Sequence, residues 1–228
     1  MLTCPPYPAI TWTPPWRTIA RVARNTVLLL VAFLVLGNAA IASAWQVQSR
    51  SAAAAPAAID GIDNLHAVDD RVWRGAAPSK AAYADLADAG VTTIVDLRAE
   101  ENVRVDVDRL AGLGLEYVHL PIRDGQVPTD AQVERFLDEV RDSDGITFVH
   151  CGAGVGRTGA MSAAYLVASG TTDGLEAMRR NLQVGPPSLE QLAFAASLDN
   201  GVNRPPAPIV AASRVLDAPR RLWSRYGF

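Results

Sequence analysis

Acidic residues are missing from the first 59 positions of this 228-residue chain, and lysine is almost missing from all of it: Lys80 stands alone among twenty arginines. The arginine bias carries no functional inference, but the other shortages exclude things. Cysteine occurs only twice, as Cys4 and Cys151. That number is too small for a disulfide framework, and the spacing fits no zinc site. There is no internal repeat. Setting aside Arg17, Arg21 and Arg24, the chain from Trp45 onward has 18 basic residues against 24 acidic ones, a net charge of -6. Such an acidic body argues against a nucleic-acid partner held by phosphate neutralisation.

Residues 26–45 lack charge altogether. About 20 apolar residues suffice to span a bilayer as a helix, and Trp45 stands where an interfacial aromatic anchor would. The same stretch ends in Ala42-Ser43-Ala44, the small-residue pattern of a signal-peptide cleavage site. A retained transmembrane anchor and a cleaved signal therefore both remain open, and the long polar lead-in of residues 1–25 favours the anchor. The three arginines on its N-terminal side predict that the N-terminus stays inside and the body lies outside the cytoplasmic membrane. The alternative is an anchored domain facing the cytoplasm. Residues 46–58, rich in Ala, Ser, Pro and Gln, read as a linker. A folded domain is expected over 59–200. Residues 201–228 form a basic-aromatic tail with Arg214, Arg220, Arg221, Trp223, Arg225 and Tyr226, either a membrane-surface segment or a helix packed on its own domain.

Within the domain, strand and helix patterns alternate. Strands are expected at 71–74, 91–97, 115–120 (ending at Pro121) and 146–150. Helices are expected from a Ser79 cap to about Asp88, ended by Gly90, at 101–112, after a Thr129 or Asp130 cap, and at about 157–169, 173–182 and 188–198. This alternation predicts an α/β fold with a central, mostly parallel sheet flanked by helices on both faces. Ligands of such sheets bind at the carboxyl ends of strands, which is where the loops 121–128 and 150–159 leave.

The second loop carries the chemistry. His150 and Cys151 end a strand, Gly152-Ala153-Gly154-Val155-Gly156 follow, and Arg157-Thr158-Gly159 open a helix. Glycines let the backbone curl so that successive N–H groups converge on one spot, and a helix N-terminus adds its own free N–H groups and partial positive charge. Such a cradle favours Cys151 as thiolate, the form that attacks. It also binds a phosphate: amides of 152–156 on the equatorial oxygens, Arg157 as a bidentate fork. Charge grows on those oxygens in the transition state, where these donors are aimed, and the product is a cysteinyl-phosphate. Thr158 is placed to hydrogen-bond the sulfur as it leaves, and His150 to orient the loop. A carboxylic acid must protonate the leaving oxygen and later activate water. Asp124, 27 residues before Cys151 and between Pro121 and Pro128, is the candidate; Asp130 is the runner-up, with a competing role as a helix cap.

His150-Cys151, five residues, then Arg157-Thr158-Gly159 resembles the signature of the cysteine-dependent protein tyrosine phosphatases. Leu120-Pro121-Ile122-Arg123-Asp124 resembles the general-acid loop of the compact dual-specificity branch. Val72-Trp73-Arg74-Gly75-Ala76-Ala77-Pro78-Ser79 with Val91 to Arg98 is similar to the opening of its bacterial and plant-type members, and Pro187-Ser188-Leu189-Glu190-Gln191 to a stretch where a glutamine recurs. The resemblance covers residues 64–198. It implies a cofactor-free phosphatase with Cys151 as nucleophile, Arg157 as phosphate clamp and Asp124 as general acid. The expected substrate is a phosphorylated protein (phosphotyrosine, with phosphoserine or phosphothreonine in addition) or a small phosphomonoester. Relatives acting on phosphoinositides often have lysines in the loop, and the uncharged Gly152, Ala153, Val155 and Gly156 lower that alternative. A phosphate-binding module without turnover is disfavoured by the intact triad of Cys151, Arg157 and Asp124. Sulfur transfer and arsenate reduction use similar loops, but a reductase needs a second thiol within reach.

Overall fold

A computed structural model of the chain describes residues 15–49, 58–100, 104–198 and 205–219. Its centre is a five-stranded sheet built from β1 (His66–Ala67), β2 (Val72–Gly75), β3 (Val91–Arg98), β4 (Glu116–Ile122) and β5 (Ile146–His150), in the order β1-β2-β5-β3-β4. The β1–β2 pair is antiparallel and the other pairs are parallel. The helices are α1 (Pro15–Ser49), α2 (Ala82–Asp88), α3 (Val107–Gly112), α4 (Asp130–Asp142), α5 (Gly156–Ala168), α6 (Gly174–Val184), α7 (Leu189–Ser197) and α8 (Ala207–Leu216).

The near-continuous apolar strands β3 and β5 are buried on both faces, as parallel strands between helices must be. Val95, Leu97 and Val149 turn to one side and pack with Phe136 of α4 and Met161 of α5. Ile94 and Phe148 turn to the other and pack with Leu86 of α2 and Leu110 of α3. Alternation along the strand thus sorts residues between two helical layers. The strand order places β5 between β2 and β3, where the direction of winding reverses. His150, its last residue, is in register with Gly75 on one side and Asp96 on the other. The carboxyl ends of three strands therefore meet at the start of the glycine loop, the position at which open α/β sheets bind ligands.

Several boundaries differ from the sequence expectation. Strand β4 continues through Pro121 to Ile122; it is an edge strand, where a missing N–H breaks no ladder. The helix expected at 101–112 shortens to α3, capped by Asp106, whose side chain accepts the N–H of Arg109; residues 101–103 lie outside the described residues. Helix α2 starts at Ala82 after Ala81, and Ser79 accepts the Ala82 N–H without being the cap residue. Of the two residues proposed to cap α4, Thr129 does so, in a reciprocal box with Gln132.

Helix α1 runs beyond the apolar stretch at both ends, taking in Arg17, Arg21 and Arg24 as well as Gln46 to Ser49. It is long and apolar enough to cross a membrane from Trp16 to Val47, with mean hydropathy 2.4 in its most apolar window and none of that window buried. Its C-terminal half rests on α6 and α8, with Gly37 closely facing Leu216. In the tail, α8 packs on α7; Ser213 accepts the Glu190 N–H and donates to Asp217. Arg220, Arg221, Trp223, Arg225 and Tyr226 lie outside the described residues.

Candidate active site

The glycine loop is held open by its own carbonyls. The Gly152 carbonyl accepts the N–H of Ala77 at 3.1 Å, and that of Ala153 accepts Asn64 Nδ2 at 2.9 Å. Arg74 Nη2 donates to the carbonyls of Gly154 at 2.8 Å and Val155 at 3.2 Å. All four carbonyls are thus engaged from outside the loop. In a trans peptide the following N–H points the opposite way, so the amides of Ala153, Gly154, Val155 and Gly156 turn inward. Helix α5 begins at Gly156, after a residue whose side chain makes no capping hydrogen bond, which leaves its first-turn amides for a ligand. Gly154 is required by geometry: its φ is +71°, and a Cβ would lie 2.3 Å from the carbonyl carbon of Gly75.

Cys151 opens this loop, 3% exposed. Arg157, 4% exposed, is oriented by an acidic partner. Glu100 takes its Nη1 at 2.9 Å and its Nη2 at 2.8 Å, and Nη1 also donates to the Ile122 carbonyl at 3.1 Å. A guanidinium has five N–H groups. Nη1 uses both of its own, Nη2 lies in the ion pair with Glu100, and the Nε–H is left on the edge it shares with an Nη2 N–H. That edge is a ready two-pronged donor for phosphate. Nε is buried without a hydrogen bond and lies 3.8 Å from Asp124 Oδ1.

Asp124, 27% exposed at its side chain, is thus brought beside the arginine. Its loop is tied to the start of α7: Ser188 Oγ donates to the Gly125 carbonyl at 2.9 Å, and Gln191 Nε2 to the Gln126 carbonyl at 3.0 Å. Gln191 Oε1 accepts the Ser188 N–H, completing a capping box, and packs against Gly156, where a Cβ would come within 2.5 Å of it. The fully buried Gln191 therefore joins the acid loop to the phosphate loop. Asp130 is exposed in the first turn of α4, away from these contacts.

Behind the loop lies a buried polar layer. Asp96 is fully buried and receives Arg98 through the backbone N–H, Nε and Nη2, and Tyr117 through its hydroxyl. Burial raises its pKa, but the Arg98 fork outweighs that and holds the carboxyl below its usual value. His150, fully buried and stacked on Phe148, donates Nδ1–H to the Cys151 carbonyl at 3.3 Å. Burial pushes its pKa down to about 4, more than Asp96 raises it. The 3.9 Å contact between His150 Nδ1 and Asp96 Oδ1 is thus one of a neutral ring with a carboxylate near neutrality. Burial also lowers the pKa of Arg74 to about 10, with the Cys151 charge opposing. The Thr158 hydroxyl is fully buried with no hydrogen-bond partner among the described residues.

A family model described as a DSP-PTPase phosphatase fused to NAD+ kinase matches residues 39–197. The chain belongs to this family. Human dual specificity protein phosphatase CDC14C is 39% identical over 103 residues, 42% of this chain and 22% of the relative. The Caenorhabditis elegans tyrosine-protein phosphatase cdc-14 is 33% identical over 124 residues, 50% of this chain and 17% of the relative. The chain spans about a fifth of the length of these relatives. Two solved structures share the fold at 22% identity. Tk-PTP in the active form has a TM-score of 0.53, covering 61% of this chain and 98% of that one. PTPMT1 in complex with PI(5)P has a TM-score of 0.54, covering 65% and 98%.

In this DSP-PTPase chain, sequence reasoning brought together Cys151, Arg157 and Asp124 but missed Glu100, the orienting partner of Arg157. Glu100 lies 57 residues away and belongs to no motif. Its one signal was position, two residues past the carboxyl end of a buried strand. Arg74 was noticed only as part of a resemblance; its job of holding loop carbonyls is visible only once β2 and β5 are paired.

Proposed function

We propose that this chain hydrolyses phosphomonoesters through a cysteinyl-phosphate, with phosphotyrosine as the principal substrate and phosphoserine or phosphothreonine in addition. The observation that carries this is the loop itself: four carbonyls held outward, inward amides, Cys151 at the base and the N–H groups on the Nε edge of Arg157. Cys151 attacks phosphorus in line, the amides and Arg157 stabilise the equatorial oxygens, and Asp124 protonates the leaving oxygen. Asp124 then takes a proton from the water that releases phosphate, while Thr158 supports the departing thiolate. The names of the CDC14 relatives, dual specificity and tyrosine-protein phosphatases, support this reading.

A second reading, a membrane-proximal lipid or small-molecule phosphate phosphatase, draws on the long apolar α1. In either case α1 anchors the chain through residues 26–45, with Arg17, Arg21 and Arg24 favouring a domain outside the cytoplasm. Turnover of p-nitrophenyl phosphate, phosphotyrosine and phosphothreonine peptides, a phosphoinositide and sugar phosphates by the full chain in detergent tests the assignment. Phosphotyrosine peptide should be turned over fastest, and Cys151→Ser should bind it without turnover. Undiminished hydrolysis by Cys151→Ser would sink the mechanism.

A further inference from the structure

A cleft of about 640 Å³ is lined by Lys80, Tyr83, Arg98, Arg104, Asp106 and Arg109, with Pro78, Val105 and Leu110 completing its wall. Its walls are built from segments that adjoin, in sequence, residues holding the phosphate loop. Lys80 is three residues from Ala77, whose N–H holds the Gly152 carbonyl, so at most about 11 Å of chain separates it from that contact with the loop. Arg98 is two residues before Glu100, which grips Arg157, and two after Asp96, the register partner of His150. Two segments lining the cleft thus run on, within two or three residues, into residues that hold the catalytic loop.

The charge of the cleft is out of keeping with the rest of the body. Some of the other surface arginines pair with carboxylates on their own helices, Arg135 with Glu139, Arg141 with Asp138 and Arg180 with Glu176, while the exposed Arg123 and Arg214 stand singly rather than in a cluster. The exposed side chains of Lys80, Arg104 and Arg109 have no ion pair or hydrogen bond among the described residues. Asp106 is occupied in capping α3, and Asp96 by Arg98, Tyr117 and burial. The only lysine of the chain is here. Against a body of net charge -6, this is a local cationic pocket next to a site for one phosphate.

Building on the phosphatase reading, we propose that the cleft is a specificity subsite for acidic phosphopeptides: it takes an Asp, a Glu or a second phosphorylated side chain near the scissile phosphotyrosine. Lys80, Arg104 and Arg109 supply the charge, and Tyr83 and the apolar wall supply a face for the peptide. The uncharged loop residues fix the phosphate to be cleaved, and the cleft selects what surrounds it.

The test compares matched phosphotyrosine peptides with acidic, neutral and basic flanks, alongside p-nitrophenyl phosphate, using the full chain and the triple variant Lys80→Ala/Arg104→Ala/Arg109→Ala. The acidic peptide should exceed the neutral one in kcat/KM by about tenfold at low salt, narrowing as salt screens the contact. The triple variant should lose that gap through KM and keep wild-type kinetics on p-nitrophenyl phosphate. Binding of the same peptides to Cys151→Ser reads the preference independently of turnover, so a failure of the phosphatase reading shows as inert p-nitrophenyl phosphate with the binding order intact. Equal affinity for acidic and neutral peptides, or preference for basic ones, overturns the subsite. So does a salt-sensitive, triple-variant-sensitive preference for phosphoinositide vesicles over acidic peptides, which assigns the cleft to a lipid headgroup.

Discussion

Glu100 holds both terminal nitrogens of Arg157, by a hydrogen bond from Nη1 at 2.9 Å and an ion-pair contact with Nη2 at 2.8 Å, and so leaves the Nε edge of the guanidinium turned the other way. Removing the charge leaves the nearly buried guanidinium oriented chiefly by the Ile122 carbonyl. Glu100→Gln should lower kcat/KM on p-nitrophenyl phosphate by roughly 10- to 100-fold, the size expected for weakening a hydrogen bond between charged groups. The affinity for orthovanadate should fall in parallel, because it uses the same edge. Unchanged vanadate inhibition in this variant would show that Glu100 does not orient Arg157.

The ties from Ser188 and Gln191 to Gly125 and Gln126 make a second prediction. General-acid help matters most for a poor leaving group, and it is typically worth 10²–10⁴-fold. Asp124→Asn should therefore slow phenyl phosphate about 100-fold more than an aryl phosphate with a strongly acidic phenol. Gln191→Ala should show the same leaving-group signature at a smaller size, because it moves the acid loop without removing the acid. If Gln191→Ala slows both substrates equally, its role is confined to packing against Gly156.

Backbone conformation at Gly154 sets a third. Alanine there meets a φ of +71° and the Gly75 carbonyl carbon at 2.3 Å. The loop has to shift, and a displacement of about 1 Å in a catalytic group costs on the order of 100-fold in rate. Gly154→Ala should lose about that much in kcat/KM, whereas Gly112→Ala, with nothing within 4 Å of its Cβ, should match wild type in the same assay.

Acid stability follows from His150. Its pKa is about 4 in the folded chain against 6.5 for the free side chain. The unfolded state takes up the proton more readily, so stability is complete above about pH 6.5 and falls as pH drops toward 4, by up to about 3 kcal/mol. Asp96, held below its usual value, adds a loss of the same sign at still lower pH. Urea titrations between pH 7 and 4.5 should show a steeper loss for wild type than for His150→Gln. Equal slopes would place the acid sensitivity elsewhere.

Much of this was legible in the sequence because the informative signals are local. The apolar, β-branched runs of β3 and β5 and the compact signature from His150 to Gly159 announce a buried parallel sheet and an anion cradle within a few residues. Ser188 and Gln191, three apart, form a capping pattern that predicts a helix start, though not that Gln191 also reaches Gln126. What escaped was long-range. The Arg157–Glu100 pair and the grip of Arg74 on the loop carbonyls depend on strand order, which periodicity does not encode. The helix over 101–112 was overextended because charged and apolar residues suit a helix there, while the structure begins α3 only after the Asp106 cap. Pro121 suggests a strand end from sequence alone, because the edge position of β4, which tolerates it, is a property of the whole sheet.

The central claim is that Cys151 takes the phosphoryl group. Mixing the full chain with p-nitrophenyl phosphate, quenching in acid within milliseconds and mapping the adduct by mass spectrometry tests this directly. One phosphoryl group should be found on the peptide containing Cys151, accumulating further in Asp124→Asn as its hydrolysis slows, and none should form in Cys151→Ser. Steady turnover with no adduct on Cys151, or a phosphoryl group on another residue, would contradict the account.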